Sequence, residues 1–463
     1  MNVKQKIDGR KIGIIGMARS GTACALMAKR MGGEPFVSDA AADNKLTEAM
    51  SSLAASKIVF ETGGHSDKLM NCDYLVVSPG LPADLEIVKN SEQRGIPIFS
   101  EIEFASWVFE GRICAVTGSN GKTTTTTLIG EMLKTAKLKS VVCGNIGKPF
   151  SEIADSADKD TIAVVEISSF QLERIEEFRP DIALILNMTP DHLDRYENFE
   201  EYKQMKQRLT ENQIAADSLI LNQDDEETRA ANIKTKADIQ FFTTTADNGA
   251  RCFVKGNKIF LNKDSSPEEV ISVSDILIPG PHNVQNALAA VAAASCFGVR
   301  PETMAAVLNT FRGVEHRLEA VGRVAGISFV NDSKATNVDS VCWALKSFEQ
   351  KLYLIAGGRD KGGKFESIAD YARGKIKGII AIGEAKEQIF DALGHDFRVQ
   401  QADSLESAVK LAFELANPGE VVLLSPGCAS FDMFEDYEHR GRAFKKAVAS
   451  LKNGKEKDET VLS

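Results

Sequence analysis

Short apolar runs rich in isoleucine and valine recur along the chain, at residues 12–15, 75–77, 113–116, 162–165, 182–186, 352–355, 379–382 and 421–424, with longer helical patterns between them. Runs this continuous are apolar toward both faces, as in strands of a parallel sheet covered by helices on each side. The expected fold class is therefore α/β with mostly parallel sheets. Glycine or proline follows several of the runs, and open sheets of this kind bind ligands in the loops at the carboxyl ends of their strands. A chain of 463 residues is too long for one core, since domains usually run about 100 to 200 residues. Changes of composition near residues 100 and 313 divide it into three expected domains, 1–100, 101–313 and 314–463. The stretch 223–267 lacks a strong period and is expected to hold irregular β structure, and the charged tail after Lys452 is expected to fray.

Composition excludes several classes of partner. A formal net charge of -10 repels nucleic acid and anionic membrane, so an anionic ligand must be held by local groups. The eight cysteines contain no CxxC pair, which fits neither a zinc ribbon nor a disulfide framework, and they are expected to be reduced, mostly buried thiols. The apolar run at 12–15 is too short for a signal peptide. The longest stretch of small apolar residues, 287–299, falls short of the roughly 18 to 20 needed to cross a bilayer. A cytoplasmic, monomeric protein is the expectation.

Residues 113–124, Ile-Cys-Ala-Val-Thr-Gly-Ser-Asn-Gly-Lys-Thr-Thr, read as a strand, a tight glycine turn and a helix start. Backbone N–H groups and the helix dipole converge there on an anion. Gly118 and Gly121 allow close backbone approach, Ser119, Asn120 and Thr124 complete the turn, Lys122 reaches terminal phosphates, and Thr123 brings a hydroxyl to Mg²⁺. The full Walker spacing would place glycine at Val116, so this is a shortened form. The alternative is an ordinary turn with a solvated lysine.

Glu166 ends an apolar strand, and Asp191 and His192 follow the next one, so hard oxygen ligands suited to Mg²⁺ collect at the same sheet edge. A lone histidine in such a loop is otherwise a structural hydrogen-bonder. The loop Gly16 to Gly21, with Asp39 at the end of the second strand, is close to a dinucleotide fingerprint. Ala18 replaces its second glycine and obstructs a pyrophosphate, which makes NAD the weaker reading. Asn283 and Asn286, three apart at a helix start, can read a base edge or cap the helix.

Four blocks, at 117–123, 166–173, 331–337 and 425–432, occur in the order and with the residues of the Mur ligases, and nearly the whole chain resembles that family of ATP-dependent amino-acid-adding enzymes of peptidoglycan synthesis. The resemblance implies an N-terminal Rossmann-like domain for the UDP moiety, a central P-loop-type ATPase domain and a C-terminal Rossmann-like domain. It implies UDP contacts from Arg19, Ser20, Asp39, Ser78, Pro79, Gly80, Asn145 and Ser168. ATP is expected on the phosphate loop and on Asn283, Asn286, Arg317 and Asp332, with Lys334 at the reaction centre. Thr123, Glu166 and His192 would serve Mg²⁺, two ions in all, with Lys206 of Tyr202-Lys-Gln-Met-Lys206 as a carbamylated lysine. On sequence alone Lys206 is a solvated helix residue. Thr336, Lys361, Ser430, Phe431 and Tyr437 would receive the amino acid, for which the closest motif match implies D-glutamate added to UDP-N-acetylmuramoyl-L-alanine. Other muramoyl or folate ligases, a kinase or ATPase, a nucleotide-binding regulator and an oxidoreductase are the competing readings.

Overall fold

The computed structural model describes residues 6–41, 46–81, 85–192, 195–231, 233–246, 249–263, 266–360 and 362–460. The first of its three sheets holds β1 (Lys11–Ile15), β2 (Glu34–Ser38), β3 (Val59–Glu61), β4 (Tyr74–Val77) and β5 (Ile98–Ser100) in the order β3-β2-β1-β4-β5. Every neighbouring pair is parallel. The order reverses between β1 and β4, which opens a crevice at their carboxyl ends.

The second sheet contains β6 (Arg112–Thr117), β7 (Ser140–Gly144), β8 (Ile162–Glu166), β9 (Ile182–Ile185), β10 (Ser218–Asn222), β11 (Asp238–Thr243), β12 (Cys252–Lys255), β13 (Lys258–Lys263) and β14 (Ser266–Ser272). Its order is β14-β13-β12-β11-β10-β9-β6-β8-β7. Parallel pairing runs from β7 to β12, and β13 and β14 then add as antiparallel hairpins. The stretch expected to hold irregular β structure does hold β strands, β11 to β14, which pair in order toward one edge of the sheet with a register shift between Ile259 and Phe260, and polar outward positions there blur the apolar signal. The third sheet holds β15 (Glu319–Val324), β16 (Ile327–Asn331), β17 (Leu352–Gly357), β18 (Ile376–Ile382), β19 (Val399–Gln401) and β20 (Val421–Leu424), ordered β15-β16-β20-β17-β18-β19. Only β15 is antiparallel to its neighbour. The tail expected to fray continues instead as the helix Tyr437–Thr460.

The chain divides into two compact units. One comprises the residues up to Met188, Asn198–Asp275 and Gln285–Asn309, and so holds the first two sheets. One apolar core reaches across both sheets, from Ile14 and Val76 through Phe104 and Phe150 to Val165 and Ile185, and a separate cluster around Ile15, Leu75 and Ile98 packs on the first sheet. The other comprises Thr189–Glu197, Ile276–Val284 and the chain from Thr310 onward. There Leu354 and Leu423 pack on one face of the third sheet, and their neighbours Ile355 and Val422 on the other. Burial on both faces is why these strands read as unbroken apolar runs. Among the described residues no helix is long and apolar enough to cross a membrane.

One buried charge ties the end of the first sheet to the second. The helix Glu101–Ser106 starts directly after β5, with the Ser100 hydroxyl accepting from the Glu103 N–H. Glu103 is fully buried, and its carboxylate accepts from the backbone N–H groups of Glu176, Glu177 and Phe178 at 3.0, 3.0 and 2.7 Å and from Trp107 Nε1 at 2.7 Å. Four N–H donors thus replace its water. Glu103→Ala leaves all four without an acceptor, and the expected loss is about 3 kcal/mol of unfolding free energy, read from urea denaturation.

Candidate active site

The phosphate-loop candidate lies at the carboxyl end of β6, and the threading of the sheet brings its neighbours to it. β7 goes to the sheet edge, so β8 returns to pair directly with β6, while β9 takes the other side. Gly118 and Gly121 hold φ of 150 and 84°, where glycine alone is at ease. A Cβ on Gly121 would lie 2.3 Å from Asn286 Oδ1. Asn187, one residue past Leu186, fastens the turn: its carbonyl accepts from Ser119 N–H at 3.0 Å, its Oδ1 from Asn120 N–H at 2.8 Å, and its Nδ2 donates to the Asn120 carbonyl at 3.0 Å. No side chain caps the helix Lys122–Thr135, whose N-cap is Gly121. A helix start of this kind, with the positive end of its dipole at the turn, favours an anion. Lys122 Nζ curls over the turn onto the Gly118 and Ser119 carbonyls, at 2.7 and 2.8 Å, and Thr123 and Thr124 are buried beside it.

Glu166 faces Val116 across the β6–β8 pairing and is buried. Its Oε1 accepts from Asn145 Nδ2 at 2.9 Å, while Oε2 has no protein partner. A buried carboxylate oxygen left so beside a phosphate loop has the character of a cation ligand. Lys206, solvated on a bare reading of its helix, is instead 1% exposed, with Nζ donating to the Gly118 carbonyl at 3.0 Å and lying 4.5 Å from the Tyr202 ring centroid. Its neighbour Lys203 is ion-paired with Glu200 and Glu227, both at 2.7 Å. The Tyr202 hydroxyl lies 3.1 Å from Ser119 Oγ. Asn286 Oδ1 accepts from Thr125 Oγ1 at 3.3 Å, which sets this amide against the start of the phosphate-loop helix.

In the same unit the first sheet presents the loop after β1. Gly16 has φ 97°, and a Cβ on Gly21 would collide with the Gly16 carbonyl oxygen at 1.8 Å, so the turn requires its glycines. Asp39 lies just past β2 and accepts from Met17 and Ala41 N–H at 2.6 and 2.8 Å, so it shapes this turn through both oxygens. Ser78 Oγ, at the end of β4, is buried with no protein partner, and Pro79 and exposed Gly80 follow it. Arg19, exposed, donates to the Gly147 carbonyl at 3.4 Å, and Ser20 is half-buried in the same loop. Ser168 closes a capping box with Gln171. Ser78 and the β1 loop thus meet at the crevice where the strand order reverses.

The other unit gathers a second set. Asp332, buried just past β16, accepts from Ser425 Oγ at 2.8 Å and from Leu318 N–H at 3.2 Å. Burial raises its pKa to about 6, against the pull of Arg317 nearby. Lys334 Nζ lies 5.2 Å from the Tyr437 ring centroid. Thr336 is half-buried, Ser430 buried, and Phe431 64% exposed. Asn283 Nδ2 donates to the Pro279 carbonyl at 2.6 Å, across the turn that leads into its helix Pro281–Ser295. His192 has φ 55°. Lys361 lies outside the described residues. Arg440 had no signal in the sequence, because a charged residue in a charged helix reads as solvated. It is 1% exposed and holds two loops together, donating to Ser333 Oγ and carbonyl at 3.0 and 2.8 Å and to the Cys428 carbonyl at 3.2 Å. Burial draws its pKa down to about 10.

Three family descriptions match consecutive parts of the chain: a MurD N-terminal domain at residues 11–87, a Mur ligase middle domain at 116–294, and a Mur ligase glutamate ligase domain at 316–428. A UDP-N-acetylmuramoylalanine--D-glutamate ligase of Koribacter versatilis is 42% identical over 96% of this chain and 98% of its own. One of the same name from a Thermoanaerobacter species is 40% identical over 96% of this chain and 100% of its own. Among solved structures, the UDP-N-acetylmuramate-alanine ligase MurC of Thermotoga maritima shares the fold with a TM-score of 0.61 at 20% identity, covering 95% of this chain and 99% of that one. The MurF ligase of the same organism, solved with ADP, has a TM-score of 0.59 at 15% identity, covering 83% and 91%.

The turn geometry gives a direct test. Gly121→Ala places a methyl group against Asn286 in a left-handed backbone, which costs about 1 to 2 kcal/mol before the clash is counted. ADP affinity by calorimetry is expected to fall about tenfold or more, with the circular dichroism spectrum retained.

Proposed function

The chain belongs to the Mur ligase family, and we propose that it is the member that joins D-glutamate to UDP-N-acetylmuramoyl-L-alanine at the expense of ATP, releasing ADP and phosphate in the synthesis of peptidoglycan precursors. The reading of substrate rests on relatives named for that reaction, 39 to 42% identical over 95 to 96% of this chain. The observation that carries the chemistry is the uncapped helix start after Gly121 beside Glu166, whose second oxygen is buried without a protein partner. In this reading the domains are 1–100 for the UDP moiety, 101–313 for ATP and 314–463 for the amino acid, and the enzyme works as a monomer in the cytoplasm, where ATP and UDP-linked precursors are found.

A carboxylate and an amine do not condense unaided, because oxide is a poor leaving group. A carboxylate oxygen of the muramoyl L-alanine attacks the γ-phosphorus of ATP, ADP departs, and an acyl phosphate forms. The neutral amine of D-glutamate adds to its carbonyl carbon, the tetrahedral intermediate expels phosphate, and the amide remains once the nitrogen loses its proton. Lys122 and the N–H groups at the helix start hold the β- and γ-phosphates and stabilise charge as it develops. Thr123, Glu166 and His192 would hold Mg²⁺, and Lys206 would join them once CO₂ adds to its neutral amine with loss of a proton, giving a carbamate that serves a second ion. Mg²⁺, when bound, neutralises charge on the transferring phosphoryl group. Asn283, Asn286, Arg317 and Asp332 would receive the nucleoside. Lys334 would face the reaction centre, and Thr336, Lys361, Ser430, Phe431 and Tyr437 would bind D-glutamate. Arg19, Ser20, Asp39, Ser78, Pro79, Gly80, Asn145 and Ser168 would face the UDP substrate. Water must be kept from the acyl phosphate throughout.

Purified protein with ATP, Mg²⁺, UDP-N-acetylmuramoyl-L-alanine and D-glutamate is expected to release ADP, and to stop when either organic substrate is left out. L-Glutamate, meso-diaminopimelate and L-lysine are expected to give no release. ADP formed without an amino acid, or only with one of these three, contradicts the assignment.

A further inference from the structure

Two segments 146 residues apart in sequence meet in the unit that carries the third sheet. Asn337 is the N-cap of the helix Val338–Lys346, its Oδ1 accepting from Ser340 N–H at 2.8 Å. Its Nδ2 donates to Asp191 Oδ2 at 2.9 Å. The other oxygen of Asp191 accepts from the backbone N–H of His192 at 2.9 Å. Two residues earlier, Thr189 Oγ1 donates to Asp339 Oδ2 at 3.2 Å, so the loop is moored twice to the first turn of one helix. Directly after these moorings His192 adopts φ 55°, a left-handed backbone that costs a side-chain-bearing residue about 1 to 2 kcal/mol. Such a conformation persists only where its surroundings over-determine it.

The choice of amide at position 337 is informative. As an N-cap, aspartate serves as well as asparagine, but an aspartate there would set a carboxylate against Asp191, with Asp339 already close by. Only the amide both caps the helix and donates to the carboxylate.

We propose that Asn337 is a positioning residue for the metal site: through Asp191 it locks the left-handed backbone of His192 and so fixes where that imidazole points. The inference rests on the reading of His192 as a Mg²⁺ residue. It separates two effects that a deletion would merge, the cap of one helix and the aim of a histidine on another segment.

Asn337→Asp keeps the acceptor for Ser340 and removes the donor to Asp191. With full-length protein and ADP, binding of Mn²⁺ followed by loss of its free electron paramagnetic resonance signal is expected to weaken about 10- to 100-fold, the usual consequence of losing an outer-sphere partner. ADP affinity without metal is expected to stay at the wild-type value. The double variant Asp191→Asn with Asn337→Asp reverses the polarity of the bond while keeping an acceptor for the His192 N–H, and is expected to restore most of the Mn²⁺ affinity. His192→Ala reports on the underlying reading. If it weakens Mn²⁺ binding and Asn337→Asp does not, the positioning role is overturned and the metal assignment stands. If neither matters, both fall. A double variant no better than the single one, or a single variant that loses ADP and Mn²⁺ alike, also overturns the proposal, because a helix cap alone would explain it.

Discussion

The site depends on a helix start whose N-cap, Gly121, has no side chain to close it, set at the end of a buried strand. In the turn after β6 Asn187 takes the N–H groups of Ser119 and Asn120, and no side chain caps the helix that begins at Lys122. Glycines at 118 and 121 make the turn possible, since the backbone there is left-handed. The helix start, with its dipole behind it, forms a positive edge in a protein whose net charge is -10. An anionic substrate is thus held by local geometry against the overall charge.

Sheet order supplies the rest of the chemistry at that edge. Because β8 and β9 flank β6, Glu166 at the end of β8 and Asn187 just past β9 arrive beside the loop without any long-range design beyond strand pairing. The third sheet repeats the device on its own unit. There β16 and β20 are neighbours, so the loops carrying Asp332 and Ser430 emerge side by side, and buried Arg440 fastens them through Ser333 and Cys428. Arg440 donates to the carbonyls of both from a buried position, a role a solvated arginine could not fill.

What could be read in the sequence follows from burial. The strands β1, β4, β6, β8, β9, β17, β18 and β20 stand out because helices cover both of their faces. The strands β3, β5 and β19, each three residues long, offer too few positions for any period to show. The phosphate loop is legible because its turn demands glycine at fixed places. Lys206 is not, because its burial comes from the Gly118 carbonyl and Tyr202 lying over a helix that is polar by composition. Asn187 and Arg440 escape for a related reason, since their work is done on backbone groups far away in sequence. The motif resemblance singled out Lys206 where periodicity did not.

The central claim is that ATP activates a carboxylate as an acyl phosphate before the amine attacks. Its most direct test is oxygen transfer, with UDP-N-acetylmuramoyl-L-alanine labelled with ¹⁸O in the alanine carboxylate and turned over with ATP and D-glutamate. The account predicts one labelled oxygen in each inorganic phosphate released, seen by mass spectrometry or by the isotope shift in ³¹P resonance. Unlabelled phosphate, formed at the same rate as the amide, would contradict it.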